Sequence, residues 1–271
     1  MDLIYPHDGN GRRPQSAHRR RRPAQEGMSM SDLLDVVIEK RGGIERFERA
    51  STISATVNVH GIFWGFKGHP DLLGVERVTA DVHRQHITMS PFGEGRSLDF
   101  DADADRVQII GAGGEVVDEL TAPRESMAGF TDQTPWSPAQ MGYFISYATW
   151  MYLLEPYLFA LPGVTTREVE PWQEAGETWR RLEVTFPDTI ATHSTVQTYY
   201  FDAATGLQRR MDYNPVVNGD SPAAHYTTEH QNFGGLILPT RRRVLLRNEQ
   251  GVADQSLAAI LLDVSDVSLQ A

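Results

Sequence analysis

Three residues able to bind a metal or move a proton, His225, Glu229 and His230, crowd into the stretch HYTTEHQNFGGLILPTRRRV at 225–244. On a helix, His225 and Glu229 would lie one turn apart on a common face, as paired metal ligands often do. On a strand they share a face but stand about 13 Å apart, and His230 turns to the opposite face. Thr227-Thr228 and the turn at Gly234-Gly235 favour the strand, so the triplet is expected to hold no metal. Pairing Phe233 with Leu236 across that turn sets Glu229 opposite Thr240, near Arg242, and Tyr226 opposite Arg243. That register predicts a cross-strand ion pair and an aromatic–guanidinium contact. It also leaves His225 or Glu229 free to act as acid or base where the strand faces a pocket.

The other proton-transfer candidates are His60, with Trp64 on the same face of its strand, and His193, at the start of the strand that contains Tyr199. His83 and His86, spaced as HxxH on a strand over 75–89, fall on opposite faces and make no joint site. DFDADADRV at 99–107 imitates a calcium loop but lacks the glycine and the closing glutamate, so it reads as a polar hairpin. GAGG at 111–114 is a turn, because no helix or βαβ unit follows it. There is no cysteine, which excludes disulfides, thiolate metal sites and cysteine nucleophiles. No cofactor is expected.

These side chains must be positioned by strands. STISATVNVHGIFWG alternates, with Ile53, Ala55, Val57, Val59 and Phe63 on one face. Further strands are predicted at 75–89, 96–101, 106–111, 115–121, 166–171, 177–186, 193–201, 207–214, 225–233, 236–248 and 254–267, with glycine turns between several of them. SDLLDVVIEKRGG at 31–43 reads as a short helix with Ser31 as N-cap and Gly42-Gly43 as its stop. PWSPAQMGYFISYATWMYLLEPYLFALPG contains a second helix, with Ser137, Pro138 and Gln140 as its start signals. From Met141 to Leu154 it is apolar or aromatic all round, so it needs cover on most sides. Its tyrosines, the Glu155-Pro156 pair and the lack of basic flanks argue against stable membrane insertion.

A flat sheet would leave one side of such a helix wet. The predicted fold is therefore mainly β (α+β), a strongly curved antiparallel sheet, or half-barrel, wrapped around a central apolar helix. The chain is expected to comprise a disordered basic tail at 1–29 and a single half-barrel domain at 30–271. The DAATG turn at 202–206 predicts Phe201 facing Leu207, Tyr199 facing Arg209, Gln197 facing Met211 and Thr195 facing Tyr213. Tyr143, Tyr147, Trp150 and Tyr157 fall along one band of the helix. Trp64, Tyr147, Trp150, Tyr199, Arg209 and Tyr213 are accordingly the candidate lining of a ligand pocket. The net charge of -11 argues against a nucleic-acid partner.

The opening LLDVVIEKRGGIERFERASTISATVNVHG, with its helix, Gly-Gly and long strand, and the late pair NFGGLILPTRRRV resemble a known family. It includes the lipoprotein carriers LolA and LolB and the violacein-pathway enzyme VioE, and the likeness spans roughly residues 31–268. More closely, PWSPAQMGYFISYATWMYLLEPYLF, GETWRRLEVTFPDTIATHS and AAHYTTEH are similar to blocks found in this order in bacterial proteins without an assigned activity. The resemblance implies a concave cavity between sheet and helix, used within the family to hold an acyl chain or to promote cofactor-free chemistry on a small molecule. The expected function is a cytoplasmic half-barrel protein binding an apolar or aromatic small molecule. The alternatives are a cofactor-independent enzyme for proton transfer, cyclisation or elimination, and a structural or interaction protein whose cavity is filled.

Overall fold

The computed structural model describes residues 32–271; the basic stretch expected as a tail lies outside the described residues. Strands β1 (Thr52–His60), β2 (Val75–Asp81), β3 (His86–Phe92), β4 (Arg96–Asp101), β5 (Arg106–Ile110) and β6 (Val116–Thr121) run as one meander. Strands β7 (Thr165–Glu174), β8 (Glu177–Thr185), β9 (Val196–Asp202), β10 (Gln208–Tyr213), β11 (Ala223–Phe233), β12 (Leu236–Leu246) and β13 (Ile260–Gln270) form another. Antiparallel pairing of β1 with β13 joins them into a single 13-stranded sheet with β6 and β7 at its edges. The chain must therefore cross from one edge to the other between the meanders. It does so through α4 (Pro138–Leu154), whereas helices α1 (Leu33–Arg41) and α2 (Ile44–Glu48) precede β1 and α3 (Phe63–Phe66) connects β1 to β2.

α4 starts where the sequence says it should. The Ser137 Oγ accepts from the Gln140 amide at 3.2 Å, the Gln140 side chain accepts from the Ser137 amide at 2.9 Å, and Pro138 takes the first helical position. Every residue from Met141 to Leu154 is buried, as an all-round apolar helix requires. The sheet curls over it because its ladders carry irregularities, at Ser54/Thr56, Met89/Phe92, Val169/Trp172 and Gln208/Arg210 among others, which sharpen the local twist. Gly142 lets the helix approach β4, since a Cβ there would meet the Leu98 side chain at 2.6 Å. The expected half-barrel around a central helix is the observed fold. None of the described helices is long and apolar enough to cross a membrane.

The two Gly-Gly pairs legible in the sequence meet each other. Gly42, at φ 130°, ends α1 so close to the β11–β12 turn that a Cβ would run into the Gly235 carbonyl oxygen. Arg46 closes the same junction by donating to the Gly234 carbonyl at 2.8 Å. The N-cap of α1 is Asp32, which accepts from the Leu34 amide, where the sequence suggested Ser31.

Three local expectations need correction. The strand expected over 75–89 is two, because Asp81 accepts from the amides of His83 and Arg84 and turns the chain; His83 sits in that turn and His86 on β3, 3.2 Å from Asp99. β1 stops at His60, since Gly61 takes φ 128° and packs against the Ala259 carbonyl; Trp64 then lies in α3 and shares no strand face with His60. In the β9–β10 hairpin Gln208 faces Phe201 and Met211 faces Tyr199, because a bulge between Gln208 and Arg210 absorbs Arg209.

One charge sits in the inward row of β2. Glu76 is buried, accepts from the Gly74 amide with one oxygen, and has no partner for the other. Burial pushes its pKa up to about 7, against the pull of the Gly74 hydrogen bond. A folded pKa above the unfolded one means that the folded chain holds a proton that the unfolded chain releases as pH rises from 4.5 to 7. The carboxylate therefore costs nothing below that window and about 3 kcal/mol above it. The stability difference between wild type and Glu76→Gln should move in favour of the variant by that amount between pH 4 and pH 8, measured by urea unfolding. A pH-independent difference would show that Glu76 titrates normally.

Candidate functional site

Beneath the second half of α4 the inner face of the sheet is polar. β12 presents Leu236, Leu238, Thr240, Arg242 and Val244 inward in alternation, so Arg242 enters the core between apolar neighbours. Its Nη2 donates to the Tyr152 carbonyl at 3.0 Å and to Glu155 Oε2 at 3.3 Å, and its guanidinium lies 4.4 Å from the Tyr152 ring centre. Gln208 donates to the same Glu155 oxygen at 3.2 Å. Arg41, the last residue of α1, reaches in to donate to the Leu153 carbonyl at 2.6 Å and the Ile237 carbonyl at 2.8 Å. Burial drives Glu155 above the usual carboxylate range despite Arg242, and lowers Arg41 to about 9.

Towards the first half of α4 this cluster passes into histidines and tyrosines. His193 is fully buried, with Nδ1 3.2 Å from the Tyr147 hydroxyl and Nε2 2.8 Å from the Tyr152 hydroxyl. Burial, with the charge of Arg124 adding to it, pushes His193 down to about 3, so the ring is neutral. One tyrosine must then accept from the ring N–H while the other donates to the bare nitrogen. Tyr213 stacks on His193 at 3.9 Å, and its hydroxyl lies 3.4 Å from His225 Nδ1. His225 is likewise held well below its ordinary pKa, by burial first and then by Arg242 and His193.

Of two spaces of ≈ 550 Å³ among the described residues, one beside Trp172, Arg181 and Asp212 is lined largely by polar side chains, and the other, at one rim of the half-barrel, is apolar. The voids beside the buried cluster are small, ≈ 20 Å³ next to Arg41 and Glu155 and ≈ 10 Å³ next to Arg242 and His225. Where the ends of β10 and β12 and the starts of β11 and β13 meet α3, a groove of ≈ 550 Å³ opens. Phe144, Val244 and Ile260 form its base, and Ile62, Phe66, Leu246 and Leu257 stand on its lips. Those four are 43%, 63%, 59% and 55% exposed, an unusual concentration of solvent-facing apolar side chains. Lys67 fixes the wall before α4, its ammonium donating to the Asp132 carbonyl at 2.8 Å and the Thr134 carbonyl at 3.2 Å.

The residues singled out in the sequence divide between these places. Tyr147, His193, Tyr213 and His225 come together in the buried cluster, and Tyr213 also lines the groove. Trp64 lines the ≈ 10 Å³ void. Tyr199 is buried, its ring 4.4 Å from Phe159 and its hydroxyl donating to Gln197. Trp150 points elsewhere and ties α4 to the Asp81 carbonyl at 2.8 Å. Arg209 leaves the expected pocket lining, because the bulge turns it to Glu177 at 3.1 Å. His60 is exposed, 4.0 Å from Asp263. Glu229 is also exposed and pairs with Arg241 at 2.6 Å, not with Arg242, since it adopts φ 55°. Tyr226 does face Arg243 in the ladder, but its guanidinium contact is Arg210 at 5.4 Å. No group of three metal-ligating side chains converges among the described residues. Arg242, Tyr152, Glu155 and Arg41 were not singled out as site residues. Their signals were an arginine in the inward row of β12 and a glutamate closing an otherwise apolar helix.

No family model and no curated protein matches the sequence. Among solved structures, the fold is similar to a LolA superfamily protein from Nitrosomonas europaea at 12% identity, covering 87% of this chain and 92% of that one with a TM-score of 0.48. It is similar also to a DUF1329 family protein from Desulfovibrio piger, at 13% identity, 88% and 91% coverage and a TM-score of 0.42. The Mycobacterium tuberculosis lipoprotein LppX is a more distant likeness, at 11% identity, 87% and 94% coverage and a TM-score of 0.30.

Proposed function

We propose that the protein binds an apolar small molecule, aliphatic or aromatic, in the rim groove. The observation behind this reading is the groove itself: ≈ 550 Å³, with an apolar base and four large hydrophobic side chains held in solvent at its lips. This differs from the pocket expected between sheet and helix, where packing leaves only the small voids described above. Saturable binding of the fluorescent probe N-phenyl-1-naphthylamine, displaced by medium-chain alcohols, is the expected result. Leu246→Asp should weaken it at least tenfold with little change in Tm, because Leu246 is 59% exposed and contributes little to the core. Probe binding that never saturates, or that ignores the aspartate, would refute the site.

A second reading, cofactor-independent acid–base chemistry on a small metabolite, is favoured by the neutral histidines and tyrosines that converge at Tyr152 and Tyr213. It requires solvent deuterium to enter a bound carbonyl probe in wild type and not in His225→Phe. Binding without exchange leaves the first reading alone.

A further inference from the structure

We infer that the groove takes an amphiphile with a carboxylate head, seated head-inward, with the head on Arg242 and His225 and the apolar tail along the groove. This rests on the apolar-site reading above and adds the ligand's polar end and its orientation. The groove and the ≈ 10 Å³ void share Phe144, Val244 and Ile260, so these three side chains are the partition between them. Head-inward binding requires Phe144 to rotate so that the two spaces join. Arg242 lies two residues past Val244 on the inward face of β12, about 7 Å deeper along the strand.

What waits behind the partition is an unused guanidinium donor and an unpartnered imidazole nitrogen, which is a donor when Nδ1 accepts from Tyr213. Arg242 is 2% exposed and His225 1% exposed, both line the void, and Arg242 Nη1 and His225 Nε2 have no partner. A buried donor without an acceptor is costly, and a carboxylate supplies acceptors to both. The charge count points the same way. The buried cluster contains two guanidiniums, Arg41 and Arg242, and one carboxylate, Glu155, so one positive charge is left over within it. An anionic head balances that surplus, and a neutral head of the same size does not.

The test compares decanoate with decanol on the full chain by calorimetric titration. The acid is expected to bind at least tenfold more tightly than the alcohol. Arg242→Gln combined with Glu155→Gln, which removes the guanidinium that receives the head but leaves the charge of Arg41, should reduce that preference severalfold while keeping the alcohol's affinity. A chain labelled with 13C at the carboxyl provides a readout on wild type alone: its shift should stay at the ionised value well below the pH at which free decanoate protonates. Equal affinity for acid and alcohol, or a bound head that titrates as in water, overturns the head-inward carboxylate and leaves the apolar groove standing. Binding of neither overturns both.

Discussion

Replacing Arg242 with methionine is expected to cost about 3–5 kcal/mol of folding stability, and adding Glu155→Gln to return most of it. The argument rests on what each removal leaves behind. Arg242 and Glu155 are 2% and 1% exposed and stand 3.3 Å apart, so neither can turn to water when its partner goes. Methionine fills much of the space of the arginine stem but strands the carboxylate, which keeps only Gln208 and the more distant charge of Arg41. The double variant has no buried carboxylate left to strand. Glu155 is already pushed above its ordinary pKa by burial, so the methionine variant alone should recover stability as pH falls, when the folded chain keeps this carboxyl protonated. Denaturant midpoints at pH 5 and pH 8, with unchanged slopes, measure both effects. A single variant as stable as the double one would show that the ion pair is not what orders this cluster.

The architecture was legible because its strongest signals are redundant. α4 announces itself through a cap, a proline and an unbroken apolar run, and an unbroken apolar run can be satisfied only by wrapping. Period-two alternation located most strands, and the Gly234-Gly235 turn fixed the β11–β12 register residue by residue. What alternation does not encode is where it breaks. The Asp81 turn looked like strand because turn and strand residues there have similar polarity. The bulge at Arg209 shifted one hairpin and sent a candidate pocket residue to Glu177.

The site was half legible for a related reason. Histidines and tyrosines were found because their types are rare and chemical, and four of them do converge. Arg242 was hidden in plain view: three consecutive arginines look like one charged surface run, yet on a strand the middle one must face away from its neighbours. Counting outward from Leu236 and Leu238 would have placed it inside. Glu155 was noticed as a reason against a membrane and not as a charge in need of a buried partner. In both cases the informative quantity was the burial of the position, with residue type second.

Arg210 should prove as sensitive as Arg242, from the opposite face of the sheet and with a consequence for the groove. It is fully buried, forks onto Asp212 at 2.6 and 2.8 Å, reaches Glu174 at 3.0 Å, and lies among the rings of Trp172, Tyr200 and Tyr226. It also donates to the Gly251 carbonyl at 2.6 Å, in the connection between β12 and β13. Arg210→Leu takes the fork from Asp212, leaving it Tyr200 and Arg247, and the ion pair from Glu174, and is expected to lose about 3 kcal/mol. Arg210→Lys keeps the charge but not the fork, so it should retain part of the stability while losing the hold on Gly251. That connection continues to Leu257 and Ala259, which line the groove on the other face. The lysine variant should therefore show faster amide exchange across residues 248–256 and weaker probe binding in the groove, although Arg210 does not line it. Faster exchange with undiminished binding would mean that the groove wall is held by α3 and β12 alone.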